Sequence, residues 1–324
     1  MPRRQRYYPK EIMRWKDSRG RRIAIIEITI RCQHGRKLLL PNARNTSLVL
    51  GVLGRAQKMY DFEIYSYAYL SNHGSILLGV RSPQHASDIM GYIHGNIARE
   101  LGRKENCDWP DHFYEGRGHP IPVLTDGSVE KRLHYTLSNG TKENLVLRPT
   151  IWPGAHSARA LCSGNNDVGR WIDHTRLSYL NRNRLDNDQV SEEEATSYYE
   201  VKLSKVPHLR NKTDKEYRQY VRRMCRNITR DAAKERKKTG GSVMGVEKIL
   251  SAHPHDRPEN LSKSPAPPVH CDDIELCKWW DKAYRAFATA YRVAHAALRE
   301  GLDIFQFPKG GIVPGYIFTC IDTG

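Results

Sequence analysis

The stretch Tyr65 to Val80, YSYAYLSNHGSILLGV, constrains this chain more than any other. It is dense in Tyr, Ile, Leu and Val and is interrupted only by Ser-Asn-His-Gly-Ser. That composition suits a central strand, or two short strands with a bend between them. Residues two apart on a strand point to the same face, so His73 and Ser75 are expected to project together. A polar pair set in an apolar strand would form the floor of a site on a sheet.

The rest of the chain sets the bounds. At 324 residues it is long enough to bury a substantial core and to hold two domains. No apolar run approaches the roughly 18 residues of a membrane span, so no membrane partner is expected. The basic N-terminus, Met1 to Arg22, lacks an apolar signal core. A cytoplasmic location is therefore expected rather than secretion. Seven scattered cysteines include no CxxC pair, which indicates neither a zinc ribbon nor a disulfide frame. A net charge of +16 and a pI near 9.6 mark a polyanionic partner, nucleic acid above all. The alternative is a generic soluble basic protein; clustering of the charge favours the first.

Along the chain, residues 1–22 read as a mobile basic arm. Ile23 to Cys32 (IAIIEITIRC) is a β-branched strand between Gly20 and Gly35. Glu27 in its middle is either an edge or solvent-facing carboxylate or an acidic group near a metal. Asn45 to Tyr60 carries Leu48, Val49, Val52, Leu53 and Ala56 at helical spacing, with Asn45, Thr46 or Ser47 as cap. Gln84 to Gly102 is a second amphipathic helix and Ser128 to Ser138 a third. Alternation of strand, helix, strand pair and helix predicts an α+β fold, one antiparallel sheet backed by helices, over residues 23–155. Residues 156–200 read as an irregular linker with a polar hinge at Asp188 to Glu194. Residues 201–324 read as a basic, mainly α-helical C-terminal region. Within it Lys202 to Lys238 holds fourteen Lys/Arg against four Asp/Glu. Cys271 to Gly301 is a strong amphipathic helix, and the Pro-rich His253 to Val269 between them is irregular.

The segment SNHGSILLGV resembles the metal-binding strand of the single-tyrosine HUH transposases, in particular their REP-associated relatives. LGVLGRAQKMY, GYIHGNIARELGR, IPVL, RPTIWPG, GVEKIL and SPAPPVH resemble a long-tailed branch of that family in the same order, across nearly the whole chain. The resemblance implies a ferredoxin- or RRM-like HUH domain. It also implies two histidines holding a divalent metal, Mg or Mn, over a scissile phosphate, and a tyrosine nucleophile that cuts single-stranded DNA. The first histidine matches His73; the second falls on Ser75, a weak ligand. The tyrosine of the family's Trp/Phe-x-Arg-Arg-Tyr segment falls on Gly118 in HFYEGRGHPIPV. Tyr114, four residues earlier, is either a displaced nucleophile, on the same face if the segment is helical, or a packing aromatic. His119, His112 and Glu27 are the remaining candidates for a metal shell. If cleavage is lost, no cofactor is required.

Phosphates are expected to meet Arg3, Arg4 and Arg6 in the arm, Arg31 and Arg36 after the first strand, and Arg117. They are also expected along Arg218, Arg222, Arg223, Arg226, Arg230, Lys234, Lys237 and Lys238, whose alternative is a solvated helix face. Tyr7, Tyr8 and Trp15 are candidates to stack on unpaired bases. Three functions stand open. The first is a hairpin or single-stranded DNA binder with impaired or lost cleavage. The second is an active tyrosine transposase or nickase using Tyr114. The third is a domesticated regulator or subunit of a larger nucleoprotein complex, including self-assembly or RNA binding.

Overall fold

The computed structural model describes residues 7–103, 111–183, 190–257, 267–302 and 306–312. The β-branched run becomes β2 (Arg22–Arg31), which pairs with a two-residue strand β1 (Trp15–Lys16). The opening stretch folds as two strands, β3 (Ile64–Tyr69) and β4 (His73–Val80), with the bend at residues 70–72. A fifth strand, β5 (His119–Val123), pairs with β2 on the edge opposite β4. Order runs β1–β2–β4–β3 with β5 also on β2, and every pair is antiparallel.

Helices cover both faces. The first face takes α1 (Ala43–Tyr60) and α2 (Pro83–Leu101); their apolar stripes meet Ala24, Ile26 and Ile28 of β2 in one core. Each helix starts where a side chain accepts a free backbone N–H: Asn42, one turn earlier than expected, from Asn45, and Ser82 from His85. The opposite face takes α3 (Asp126–Ser138), α4 (Ala158–Ser163) and the long basic helix α6 (Asp214–Thr239), against Ile23, Ile25 and Leu77. A Thr213–Glu216 capping box opens α6. Short α7 (Val246–Leu250) and aromatic α8 (Ile274–Arg299) follow, α8 burying Trp280, Phe287 and Tyr291. Among the described residues no helix is long and apolar enough to cross a membrane.

Two sequence expectations are overturned. Residues 156–200 are not an irregular linker. They hold α4, a hairpin of β6 (Asp167–Ile172) and β7 (Thr196–Val201), and α5 (His174–Asn183) between them. The hairpin lies so close on α1 that a Cβ at Gly51 would sit 1.9 Å from the Arg170 carbonyl. Only glycine permits that approach. Nor is the described part of the N-terminus a free arm. Tyr8, Ile12 and Trp15 are buried, Tyr7 stacks on Phe287 at 4.4 Å, and the Trp15 indole donates to Asp126 at 2.8 Å. These aromatics fill the fold rather than wait for bases.

Buried His94 and His156 make the fold acid-sensitive. Burial holds their imidazoles down, to about 3 and about 4. The unfolded chain binds their protons first, near pH 6.5, so stability falls as pH drops below that value. Denaturant unfolding should show a loss of up to about 1.4 kcal/mol per pH unit per histidine between pH 6.5 and 5. The slope should flatten in His94→Leu.

Candidate nucleic-acid site

Alternation along β2 sorts its residues between the faces. Ala24, Ile26 and Ile28 enter the α1–α2 core, and Ile23 and Ile25 the opposite one. The next three residues on that second face are Glu27, Thr29 and Arg31. Cross-strand register completes the surface: Arg31 opposes His73, Thr29 lies between Ser75 and His119, and Glu27 lies between Leu77 and Ile121. His73 and Ser75 thus share one face. They line a cavity of about 900 Å³ with Glu27, Arg31, His119 and Arg132.

Glu27 organises this floor. An edge position fails because β2 is paired on both sides, and the solvent-facing alternative fails because Arg132 of α3 and His270 cover the side chain, which is 1 % exposed. Ser75 Oγ donates to Glu27 Oε1 at 3.1 Å. On Oε2, Arg132 Nη1 lies at 3.4 Å and His270 Nε2 at 2.8 Å. His270 arrives because residue 270 extends the sheet beyond β5: its N–H donates to the Pro122 carbonyl at 2.8 Å and its carbonyl accepts from Leu124 at 2.9 Å. Beyond Arg132 stands Tyr135, whose ring has the Arg132 guanidinium 4.1 Å and the Lys142 ammonium 3.3 Å from its centroid.

His73 closes the other end, its Nδ1 2.7 Å from Asn72 Oδ1. Burial holds its imidazole down to about 4, with Lys142 and Arg31 adding to the effect, so it is neutral at pH 7. The two-histidine metal shell that the resemblance implies does not fit these residues. Ser75 spends its hydroxyl on Glu27, both oxygens of Glu27 are engaged, and among the described residues no three His, Cys, Asp or Glu side chains gather to hold an ion.

Tyr114 is on the wrong side of the sheet. The segment before β5 is a bend, not a helix, and Tyr114 bridges to Cys32, whose side chain belongs to the α1–α2 core. The ring lies 5.7 Å from His94 of α2. Its hydroxyl is buried without a hydrogen-bond partner among the described residues, and burial pushes the phenol well above its ordinary value, opposite to what a nucleophile needs. Gly118 turns to the same side: a Cβ there would lie 2.6 Å from His94 Cε1 and 3.1 Å from Met90 Cε.

The basic candidates divide. Arg3, Arg4 and Arg6 lie outside the described residues. Arg31 lines the cavity, Arg36 donates to the His255 carbonyl, and Arg117 and His119 are exposed beside β5. On α6, Arg222, Arg223, Arg226, Arg230, Lys234, Lys237 and Lys238 are exposed, while Arg218 is half-buried against Gly164. The basic C-terminal end of α6 approaches the cavity. Arg236 donates to Asn144 at 3.2 Å, and Leu145 and Met244 beside that turn line the rim. Sequence reasoning missed Arg132, Lys142 and His270. His270 closes the SPAPPVH stretch, which was a usable signal; Arg132 and Lys142 belong to a helix and a turn that carried none.

The fold and site together define an α+β chain with an antiparallel sheet, backed by helices, holding a cation-rich cavity on one face. No family model matches it, and neither does any curated protein. Several solved chains are similar, among them two transposase structures. One is a REP-associated tyrosine transposase bound to a REP hairpin: 15 % identity and a TM-score of 0.37, over 44 % of this chain and 81 % of that one. The other is a candidate transposase from Deinococcus radiodurans R1: 14 % identity and a TM-score of 0.28, over 37 % and 94 %.

Two substitutions test the site's construction. Glu27→Ala leaves Arg132, His270 and Ser75 facing an empty centre and should lower unfolding free energy by about 3 kcal/mol. Gly118→Tyr, which restores the expected nucleophile, should destabilise by at least about 1–3 kcal/mol through overpacking against His94, and should yield no covalent DNA adduct. Denaturation curves and adduct gels read these outcomes.

Proposed function

We propose that this chain binds hairpin or single-stranded DNA across the cavity floor and along α6, and that its strand cleavage is impaired or lost. One observation carries the reading. The cavity presents Arg31, Lys37, Arg132, Lys142 and Arg257 against only Glu27 and Glu143, while Tyr114, the tyrosine nearest the expected nucleophile position in sequence, lies behind the sheet. A surplus of cations in a concave site favours a polyanion, and the exposed arginines of α6 extend that field. Cleavage by Tyr114 needs its phenol in line with a phosphate, and a phosphate over the floor cannot meet Tyr114 without opening the sheet. Tyr135, the tyrosine that lines the cavity, has its ring engaged by the Arg132 and Lys142 cations.

Full-length protein should bind a hairpin oligonucleotide carrying a single-stranded extension, with affinity falling steeply in salt. Replacing Arg226, Arg230 and Lys234 together by alanine should weaken binding and reduce the log–log salt slope by about 0.7–0.9 for each phosphate no longer neutralised. Incubation with Mn or Mg should leave the oligonucleotide intact and free of covalent protein. A covalent product that Tyr114→Phe abolishes would refute the loss of cleavage.

A further inference from the structure

We infer that the floor holds a DNA phosphodiester without a divalent cation, through the guanidinium of Arg132 and the ammonium of Lys142, in the place where a two-histidine metal would act. The inference rests on the nucleic-acid reading above and assigns the group that meets the phosphate.

Glu27 cannot serve as a metal ligand while Ser75 holds one of its oxygens and His270 and Arg132 the other. The same contacts do something else: they fix Arg132. Its polar contacts among the described residues, to Glu27 and to His270 at 3.4 Å each, run through Nη1. Its guanidinium carbon lies over the Tyr135 ring, 4.1 Å from the centroid. With its hydrogen bonds to Glu27 and His270 made through Nη1, Nη2 and Nε are left for an incoming acceptor. That planar fork matches two oxygens of a phosphate. Lys142 approaches the same ring at 3.3 Å, and the negative ring face eases repulsion between the two cations.

Charge accounting supports the assignment. Glu27 is already engaged by Ser75, Arg132 and His270, and the cavity's other carboxylate, Glu143, lies 3.6 Å from Lys142, so neither stands open to an arriving phosphate. His73 adds no charge of its own at pH 7, held neutral by burial and then by Lys142 and Arg31. A cavity near 900 Å³ is ample for a nucleotide unit with its flanking phosphates. Arg132 and His270 are also only partly exposed, at 18 % and 13 %, which strengthens charge-assisted hydrogen bonds made there.

The test uses the full chain and the labelled hairpin oligonucleotide in EDTA, Mg or Mn. Affinity should be the same within about twofold in all three. Arg132→Lys keeps the charge on Glu27 but loses the fork, and should weaken binding by about tenfold with little change in melting temperature. Lys142→Ala removes only a half-exposed pair, with Glu143 at 3.6 Å, and should cost a similar factor. Binding that needs Mn or Mg, or that is untouched by both variants, overturns the metal-free phosphate site while leaving the nucleic-acid reading intact. A wild-type chain that does not bind the oligonucleotide in any buffer overturns both.

Discussion

A carboxylate in the middle of a sheet paired on both sides must be neutralised where it stands, because removing an ion from water carries a penalty of several kcal/mol. Glu27 is that carboxylate, and the architecture around it reads as the answer. A serine of the neighbouring strand, an arginine of the covering helix and a histidine from a distant segment converge on its two oxygens. The His270 contact also gives a reason for the chain's late segment to return to the sheet edge. Without it, the polypeptide between α7 and α8 would lack a buried polar anchor beside β5.

The same carboxylate divides the sheet into an apolar, packed half and a polar half that lines the cavity. On one face of β2 the order Ile23, Ile25, Glu27, Thr29, Arg31 passes from core to floor within a single strand. Helices α3, α4 and α6 cover the apolar half. Over the polar half the covering is incomplete, and the cavity stands there. The other face has no such break. Ala24, Ile26, Ile28 and Cys32 all pack under α1 and α2, and Tyr114 and Gly118 turn toward that side. The Tyr114 phenol sealed there and the polar floor are separated by the thickness of the sheet, a separation set by strand parity.

Much of this is legible in the residues alone. The antiparallel sheet, its three backing helices, the pairing of His73 with Ser75 on one face and the two long C-terminal helices follow from alternation, helical spacing and caps. Glu27 stays ambiguous in the sequence because one strand's pattern does not say what covers its face; Arg132 of α3 and His270 cover it. Polar alternation at Glu27, Thr29 and Arg31 is nonetheless a visible sign of a floor. Residues 156–200 look irregular because their strands are short and polar, and their hairpin is stabilised by close packing on α1 rather than by a hydrophobic stripe of its own. Tyr7, Tyr8 and Trp15 look like stacking residues because an aromatic next to arginines reads the same whether it is to be buried or exposed.

By itself the sequence determined local periodicity: which segments twist into helices, which extend, and which side chains share a face within one element. Those properties depend on neighbours a few residues apart, and short-range sterics decide them. Only the tertiary structure decided which face lies open, that Arg132 and His270 meet at Glu27 while Lys142 lies over the Tyr135 ring, and that Tyr114 is shut away beneath α2. Those outcomes depend on contacts between residues up to more than two hundred positions apart, which no local pattern encodes.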